Sequence, residues 1–151
     1  MAAINERLRE AARDGSEAEL KSLLRNPGCN ALSKTGHGLT ALMCAALFGH
    51  EACIQLLLPL SDARAKNKDG HTALIQAAWF GSEACVRVLL PVSDVLGKDK
   101  AGRTASSWAK KEGHESLAKF IDAYALSQAE QASIEGAISS ATPRKRAAPR
   151  V

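Results

Sequence analysis

The stretch ALIQAAWFGSEACVRVLLPVSD, Ala73 to Asp94, repeats the earlier stretch ALMCAALFGHEACIQLLLPLSD, Ala41 to Asp62, and this repetition decides the fold. Fourteen of the twenty-two aligned positions are identical, at an offset of 73 − 41 = 32 residues. A weaker copy, EAARDGSEAELKSLL, lies near the start of the chain. A fixed period of this size indicates a stacked repeat array. The units are an end unit at about 4–34, repeats at about 35–66 and 67–98, and a C-terminal unit at about 99–125.

Within one unit the sequence predicts a turn, a short helix, a second turn and a second helix. Gly70 suits a turn with positive φ, and the Thr72 hydroxyl is placed to accept a hydrogen bond from the N–H groups that open a helix. Gly81 ends the first helix, Glu83 opens the second and Pro91 stops it. Neither helix is long enough to be stable alone, so each must bury one face on the neighbouring unit. We therefore predict an all-α solenoid with hairpin-like connecting loops.

The phrases DGHTALIQAAWFGSEACVRVLL and GHGLTALMCAALFGHEACIQLLL resemble the ankyrin repeat, whose pattern is G-x-T-P-L-H-x-A-A-x-x-G-H followed by a helix that ends in paired leucines. The resemblance covers residues 4 to 125. Two features depart from it. Pro-Leu-Ser-Asp at 59–62 and Pro-Val-Ser-Asp at 91–94 replace the usual Gly-Ala-Asp, which shortens the period to 32. The Pro and His of T-P-L-H are also replaced, so that histidine's hydrogen bonds cannot be assumed; the residues here are Ala41, Ala73 and Ala105, and Met43, Ile75 and Ser107.

Composition and charge limit the class of protein. The 151 residues are 46% hydrophobic but only 4% aromatic, so the core must be mainly Ala, Leu and Val. The net charge of +4 comes from the C-terminal end, and the rest of the chain balances 16 basic against 16 acidic residues. This balance argues against a body that binds nucleic-acid phosphates over a broad surface. The four C-terminal cations are Arg144, Lys145, Arg146 and Arg150.

Several patterns bear on the compartment. The N-terminal stretch MAAINERLREAARD is charged throughout, and no apolar run approaches the length of a membrane span. Cys53 and Cys85 take equivalent places in the repeat, and none of the 4 cysteines forms a CxxC pair, which predicts buried, reduced thiols. We expect a soluble, monomeric, cytoplasmic protein that does not contact membranes. Nuclear localisation and delivery into a host cell stay open as alternatives.

After Tyr124 the repeat is lost, and residues 126–151 are Ala-rich and then basic. Ile134 and Ile138 lie four apart, as expected for an extension of the last helix or for a separate short helix. The final TPRKRAAPR, from Thr142, is basic, interrupted by proline and poor in large apolar residues. Such a composition predicts a flexible, disordered tail.

The sequence holds no catalytic motif, and we predict neither enzymatic activity nor a cofactor. His50 and His114 follow the glycine of the repeat, where the resemblance implies a structural hydrogen bond. His37 and His71 lie in hairpins one repeat apart but two positions out of register, so a metal site shared between them is not expected.

The resemblance implies that the hairpin tips and the exposed side of the first helix line a concave face that contacts a protein partner. Aromatic side chains flanked by Lys and Arg favour such contacts. For Phe48 and Phe80, identical in both units, packing between repeats is an equal alternative, whereas Trp79 varies from Leu47 and is predicted to contact the partner. The expected contact residues are His37, Leu39, Leu47, Phe48, Lys68, Asp69, His71, Trp79, Phe80, Lys100, Arg103, Lys111 and Glu112.

The leading hypothesis is a non-enzymatic protein-interaction module acting as an adaptor, an inhibitor or an effector. A different class stays open: a nuclear or nucleic-acid-associated regulator that uses the basic tail, Arg144, Lys145, Arg146 and Arg150. The sequence does not identify the partner in either case.

Overall fold

The computed structural model describes the backbone of residues 2–146 and the side chains of residues 3–136. Within the described backbone all regular structure is helical. None of these helices combines the length and the apolar character needed to cross a membrane. The helices are α1 (Ala2–Asp14), α2 (Glu17–Leu24), α3 (Ala41–Leu47), α4 (Glu51–Leu57), α5 (Ala73–Phe80), α6 (Glu83–Leu89), α7 (Ala105–Lys111) and α8 (Glu115–Arg146), with short 3-10 turns at Leu58–Leu60 and Leu90–Val92.

The helices form two layers. In the inner layer α1 packs on α3, α3 on α5 and α5 on α7, and in the outer layer α2 packs on α4 and α4 on α6. Each inner helix also packs on the outer helix that follows it in the chain. Contacts therefore run between neighbouring units, which is the arrangement of a solenoid. The prediction of an all-α solenoid is confirmed.

The core lies between the two layers and is built from equivalent positions of the repeat. Leu57 and Leu89, one period apart, are both fully buried. Cys53 and Cys85 are also fully buried, as predicted, and they are free thiols. Burial raises the pKa of both thiols above the usual cysteine value, because the thiolate would lose its hydration. These cysteines therefore serve as small core residues.

A threonine opens each full unit's inner helix. The hydroxyls of Thr40, Thr72 and Thr104 accept hydrogen bonds from the N–H groups three residues further on, at 3.2, 3.3 and 3.2 Å. The cap predicted for Thr72 is confirmed. Met43 and Ile75 stand where the repeat pattern has histidine, and both are buried. At these two positions the unit gains apolar packing in place of a polar side chain.

Each connecting hairpin is closed by a side-chain oxygen at one equivalent position, occupied by Thr35, Asn67 or Asp99. In the middle hairpin, Oδ1 of Asn67 accepts hydrogen bonds from the backbone N–H groups two and four residues further on, both at 2.9 Å. Thr35 and Asp99 do the same in their hairpins. Each pair of neighbouring hairpins is joined by one backbone hydrogen bond. Lys68 N–H donates to His37 C=O at the first junction and Lys100 N–H donates to Asp69 C=O at the second, each at 3.0 Å.

Glycines at the ends of inner helices admit rings from the next unit. Gly81 ends α5 with φ of 89°, and a Cβ built on it would lie only 2.5 Å from the imidazole of His114. His50 lies against Gly15 in the same way, and its Nε2 donates a hydrogen bond to the Arg13 carbonyl at 2.8 Å. This bond satisfies a carbonyl in the last turn of α1. The structural role expected for His50 is thus observed.

The last helix differs from the expectation for the tail. Of the two alternatives for the Ala-rich stretch, the structure has the extension, since α8 runs from Glu115 without a break. It continues to Arg146, so the predicted loss of regular structure is wrong for residues 142–146. Residues 126–136 are exposed on all sides. Local propensity explains the extension as far as Ala141, because Ala, Gln and Glu are strong helix formers and Gly136 costs only about 1 kcal/mol. The remainder, 147–151, lies outside the described residues.

Candidate functional site

The predicted contact residues lie on the side of the solenoid formed by the hairpins and the inner helices, called the inner face below. Trp79, Phe80 and Phe48 are 39%, 53% and 44% exposed, unusual values for large aromatic side chains. The other exposed members are His37, Lys68, Asp69, Lys100, Lys111 and Glu112, and the half-buried ones are Leu39, Leu47, His71 and Arg103.

Three aromatic rings from two units meet in the C-terminal half of the inner face. The rings of Trp79 and Trp108 have centroids 5.2 Å apart at an interplanar angle of 31°. The His71 ring meets both edge-on, with centroid distances of 6.1 Å to Trp79 and 5.4 Å to Trp108. We call His71, Trp79 and Trp108 the aromatic cluster. It holds both of the 2 tryptophans in the chain.

Asp99 fixes the cluster from beneath. Its Oδ1 closes the hairpin, and its Oδ2 accepts a hydrogen bond of 2.8 Å from the indole N–H of Trp108. The same Oδ2 lies 3.3 Å from Nε2 of His71. Burial alone would raise the pKa of Asp99, but the N–H groups of Arg103, Trp108 and Ala101 and the nearby His71 outweigh it and lower the pKa below the usual value for an aspartate. Asp99 is therefore a buried carboxylate with its oxygens occupied.

Two cations cover the Trp108 ring. The Arg103 guanidinium carbon lies 4.9 Å from the ring centroid, and Nζ of Lys111 lies 4.6 Å from it. Both distances fall within cation–π range. Among the described side chains, no carboxylate oxygen lies within 4.0 Å of the side-chain nitrogens of Arg103, Lys111, Lys68 or Lys100. Within the part of the chain that the structure describes, the charges at this end of the inner face thus have no counter-ion.

The N-terminal half of the inner face has a different character. A cleft of about 360 Å³ lies between α1 and the first hairpin, with an apolar floor that includes Leu39, Leu47 and Phe48. Arg9 at its side donates a hydrogen bond to the Ser33 hydroxyl at 2.9 Å. Its walls carry charges of both signs, from Glu6, Arg9, Glu10 and Arg13. The inner face is therefore divided into an apolar cleft with walls of mixed charge and the aromatic cluster with its two cations.

Phe48 and Phe80 differ although their sequence contexts match. Phe80 lies across Gly49 of the preceding unit, where an added Cβ would come within 2.5 Å of its ring. In the preceding unit the imidazole of His50 lies against Gly15, so Phe48 does not pack on a glycine of the unit before it. Ser82 stands where the next histidine would be, and this small residue leaves the space that Phe80 fills. Phe80 packs between repeats and also exposes half of its surface, so neither alternative alone describes it.

Sequence reasoning missed Trp108 and Asp99. Trp108 is only 8% exposed, and its alignment partners at the 32-residue period are Gln76 and Cys44, which gave no sign of an aromatic site. The available signal was that both tryptophans lie on inner helices of adjacent units. The structure does not bring His37 to this cluster. Within the described side chains, no group of three or more His, Cys, Asp or Glu residues is arranged to hold a metal ion.

The basic tail adds no described contacts. The side chains of Arg144, Lys145 and Arg146 and the whole of Arg150 lie outside the described residues. Nuclear or nucleic-acid association through this segment stays a prediction.

Comparison with known proteins gave one result for the family and one for individual relatives. A family model described as ankyrin repeats (three copies) matches residues 8–99 and, in an overlapping second match, residues 61–128. No curated protein matches the chain.

Proposed function

This chain belongs to the ankyrin-repeat family, and we propose that it is a non-enzymatic adaptor, inhibitor or effector that binds one protein partner through its inner face. Ankyrin repeats are generally protein-interaction modules, and proteins built from them are typically not enzymes. The cytoplasmic location and the monomeric state remain predictions made from the sequence.

One observation carries the proposal: Trp79 and its sequence neighbour Phe80 expose large apolar surfaces, and Trp79 adjoins Trp108, whose ring is covered by two cations that have no counter-ion among the described side chains. Trp, Tyr and Arg are the residues most enriched in interface hot spots. The stacked units also hold these side chains in place before binding, so little ordering entropy is lost when a partner docks.

The test captures partners from lysate of the source cell, and from host lysate where a host exists, with the immobilised wild-type protein. The double variant Trp79→Ala/Phe80→Ala is the comparison. Leu96→Ala/Leu126→Ala is the matched control, since these leucines are 68% and 66% exposed and lie away from the inner face. Circular dichroism establishes that all three proteins are folded.

We expect a protein retained by the wild type and by the leucine control, and lost from the aromatic variant. The purified partner should then bind the wild type with an affinity that the aromatic variant lowers at least about tenfold. Equal retention by all three proteins would remove the inner face from the proposal.

A further inference from the structure

Resting on the proposed function, we infer that the C-terminal half of the inner face receives an acidic segment of the partner protein. In this arrangement a carboxylate of the segment meets Arg103 and Lys111, and a neighbouring apolar side chain packs on Trp79 and Phe80. The geometry that points to this occupant is the position of two cations over one tryptophan, next to exposed aromatic surface.

The cations supply the first part of the argument. Arg103 and Lys111 lie 4.9 and 4.6 Å from the centroid of the Trp108 ring, and among the described side chains neither has a carboxylate partner. Two cations elsewhere are paired, since Arg87 of α6 pairs with Glu83 and Lys110 of α7 pairs with Asp122 of α8. A guanidinium held against an indole keeps N–H donors free for a carboxylate, which it can bind in bidentate geometry. The inner face thus presents prearranged donors that lack a carboxylate acceptor among the described side chains.

The aromatic surface supplies the second part. Trp79 is 39% exposed, and its ring centroid lies 5.2 Å from that of the cation-covered Trp108. Phe80, the next residue, is 53% exposed and lies across Gly49 of the preceding unit. Burying such rings is favourable in proportion to the apolar area removed from water. A segment with only acidic residues would leave this area exposed. The surface therefore fits a segment in which an acidic residue adjoins a large apolar one.

The local charge balance argues against a polyanion. Four cations border this half of the face, but three carboxylates, Asp69, Asp99 and Glu112, lie among them and leave an excess of one positive charge; the cations are Lys68, Lys100, Arg103 and Lys111. Nucleic acids bind where many Lys and Arg side chains neutralise successive phosphates. A single carboxylate matches the small excess better than a chain of phosphates does.

Asp99 makes the site rigid. It holds the Trp108 indole by a 2.8 Å hydrogen bond while its other oxygen closes the hairpin that carries Arg103. The carboxylate of Asp99 therefore positions both the Trp108 ring and the backbone of Arg103, whose guanidinium covers that ring. A site fixed in this way loses little conformational entropy on binding.

The experiment selects binders from a phage-displayed library of random peptides on the full-length wild-type protein. Selected peptides are then synthesised in two forms, one native and one with each Asp or Glu replaced by its amide. Their affinities are measured by the intrinsic fluorescence of Trp79 and Trp108, which reports on the site directly. The same titrations use Arg103→Gln/Lys111→Gln and the charge-matched control Arg64→Gln/Lys119→Gln, whose exposed cations are not on the inner face.

We expect selected peptides to contain an acidic residue next to Phe, Tyr, Trp, Leu or Ile. The amide form and the inner-face double variant should each weaken binding at least about tenfold, while the control variant changes it less than about threefold. Added salt should weaken binding of the native form only. The amide peptides test the inference on the unaltered protein, so the result does not depend on the stability of a variant.

Three outcomes would overturn the inference. These are selected peptides without acidic enrichment, equal affinity for acid and amide forms, or tighter binding of a phosphopeptide or a labelled single-stranded DNA than of any acidic peptide. If the captured partner still depends on Trp79 and Phe80 while Arg103→Gln/Lys111→Gln binds it normally, the proposed function stands and this inference fails. If no binding depends on the inner face, both fail.

Discussion

Trp108 and Asp99 are joined by a hydrogen bond of 2.8 Å between the indole N–H and a carboxylate whose other oxygen closes the hairpin of the same unit. The equivalent residue in the preceding unit, Asn67, closes its hairpin through the same kind of oxygen but has no tryptophan to hold. This position therefore closes the hairpin in one repeat, and in the next repeat it closes the hairpin and also holds Trp108. Variants of Asp99 can separate these two roles.

Replacing Asp99 with Asn should keep the hairpin closed and lose the anchor for Trp108. The amide oxygen can accept the two backbone N–H bonds, as in Asn67, but the amide N–H₂ group then faces the indole N–H donor. A buried donor without an acceptor costs about 1–3 kcal/mol. Urea unfolding followed by fluorescence should show this loss, and Asp99→Ala should lose more because it also opens the turn. Equal stability of the Asn variant and the wild type would contradict the assigned role.

The low pKa of Asp99 predicts a pH dependence with a definite sign. Burial works to raise this pKa, and the N–H donors and His71 lower it further than burial raises it. A carboxyl whose pKa is lower in the folded than in the unfolded state stabilises the fold above its unfolded pKa, and this contribution is lost as pH falls through the folded pKa. The stability difference between the wild type and Asp99→Asn should therefore be constant near neutrality and shrink below about pH 4. Urea midpoints over a pH series measure it, and a difference that grows on acidification would reverse the assignment.

Two glycines with the same backbone conformation should respond differently to alanine. Gly81 and Gly113 have φ of 89° and 86°, but a Cβ at Gly81 would strike His114, whereas nothing lies within 4 Å of one at Gly113. Both variants incur the left-handed strain of about 1–2 kcal/mol. Gly81→Ala should lose about 1–3 kcal/mol more, because the imidazole must move. Thermal unfolding of the pair isolates the ring contact, and equal losses would argue against it.

Stability and binding should be separable by two further variants. Leu57→Ala removes a fully buried side chain and should lower the free energy of unfolding by about 2–5 kcal/mol with little effect on partner affinity below the melting temperature. Trp79→Leu copies the residue of the preceding unit, keeps an apolar side chain, and forgoes a ring contact worth about 0.5–1.5 kcal/mol. It should weaken partner binding much more than it destabilises the fold. Denaturant curves and titrations on the same preparations compare the two effects.

Much of the fold follows from periodicity alone. A repeated phrase with Gly and Thr at fixed places predicts helix pairs, because each short helix must pack on a copy of itself, and Thr72 and Gly81 act as expected. Only part of the candidate site could be predicted from the sequence. Trp79, Arg103 and Lys111 follow from their places in the repeat, but their meeting over Trp108 depends on the distance between units, which no single position encodes.

Differences between repeats are harder to read than their similarity. Phe48 and Phe80 have the same place in the phrase, yet only Phe80 covers a glycine, because Ser82 replaces the histidine that would otherwise fill that space. The outcome depends on a third residue in the same unit and on a glycine in the preceding one. The continuation of α8 past Ala141 was missed for another reason, because Pro143 and the clustered charges after it predict the end of a helix.

The backbone bonds that link the hairpins have a consequence for growth of the array. Lys68 donates to the His37 carbonyl and Lys100 donates to the Asp69 carbonyl, so both joints use the same positions of the unit. The ammonium groups of Lys34 and Lys66 likewise reach the carbonyls of Lys66 and Lys98, one period further along. A second copy of residues 67–98 placed after Lys98 would have equivalent hydrogen-bonding positions in the unit before it and in the unit after it. In-frame duplication of this segment should yield a longer folded protein, with the tryptophan pair preserved at its last junction.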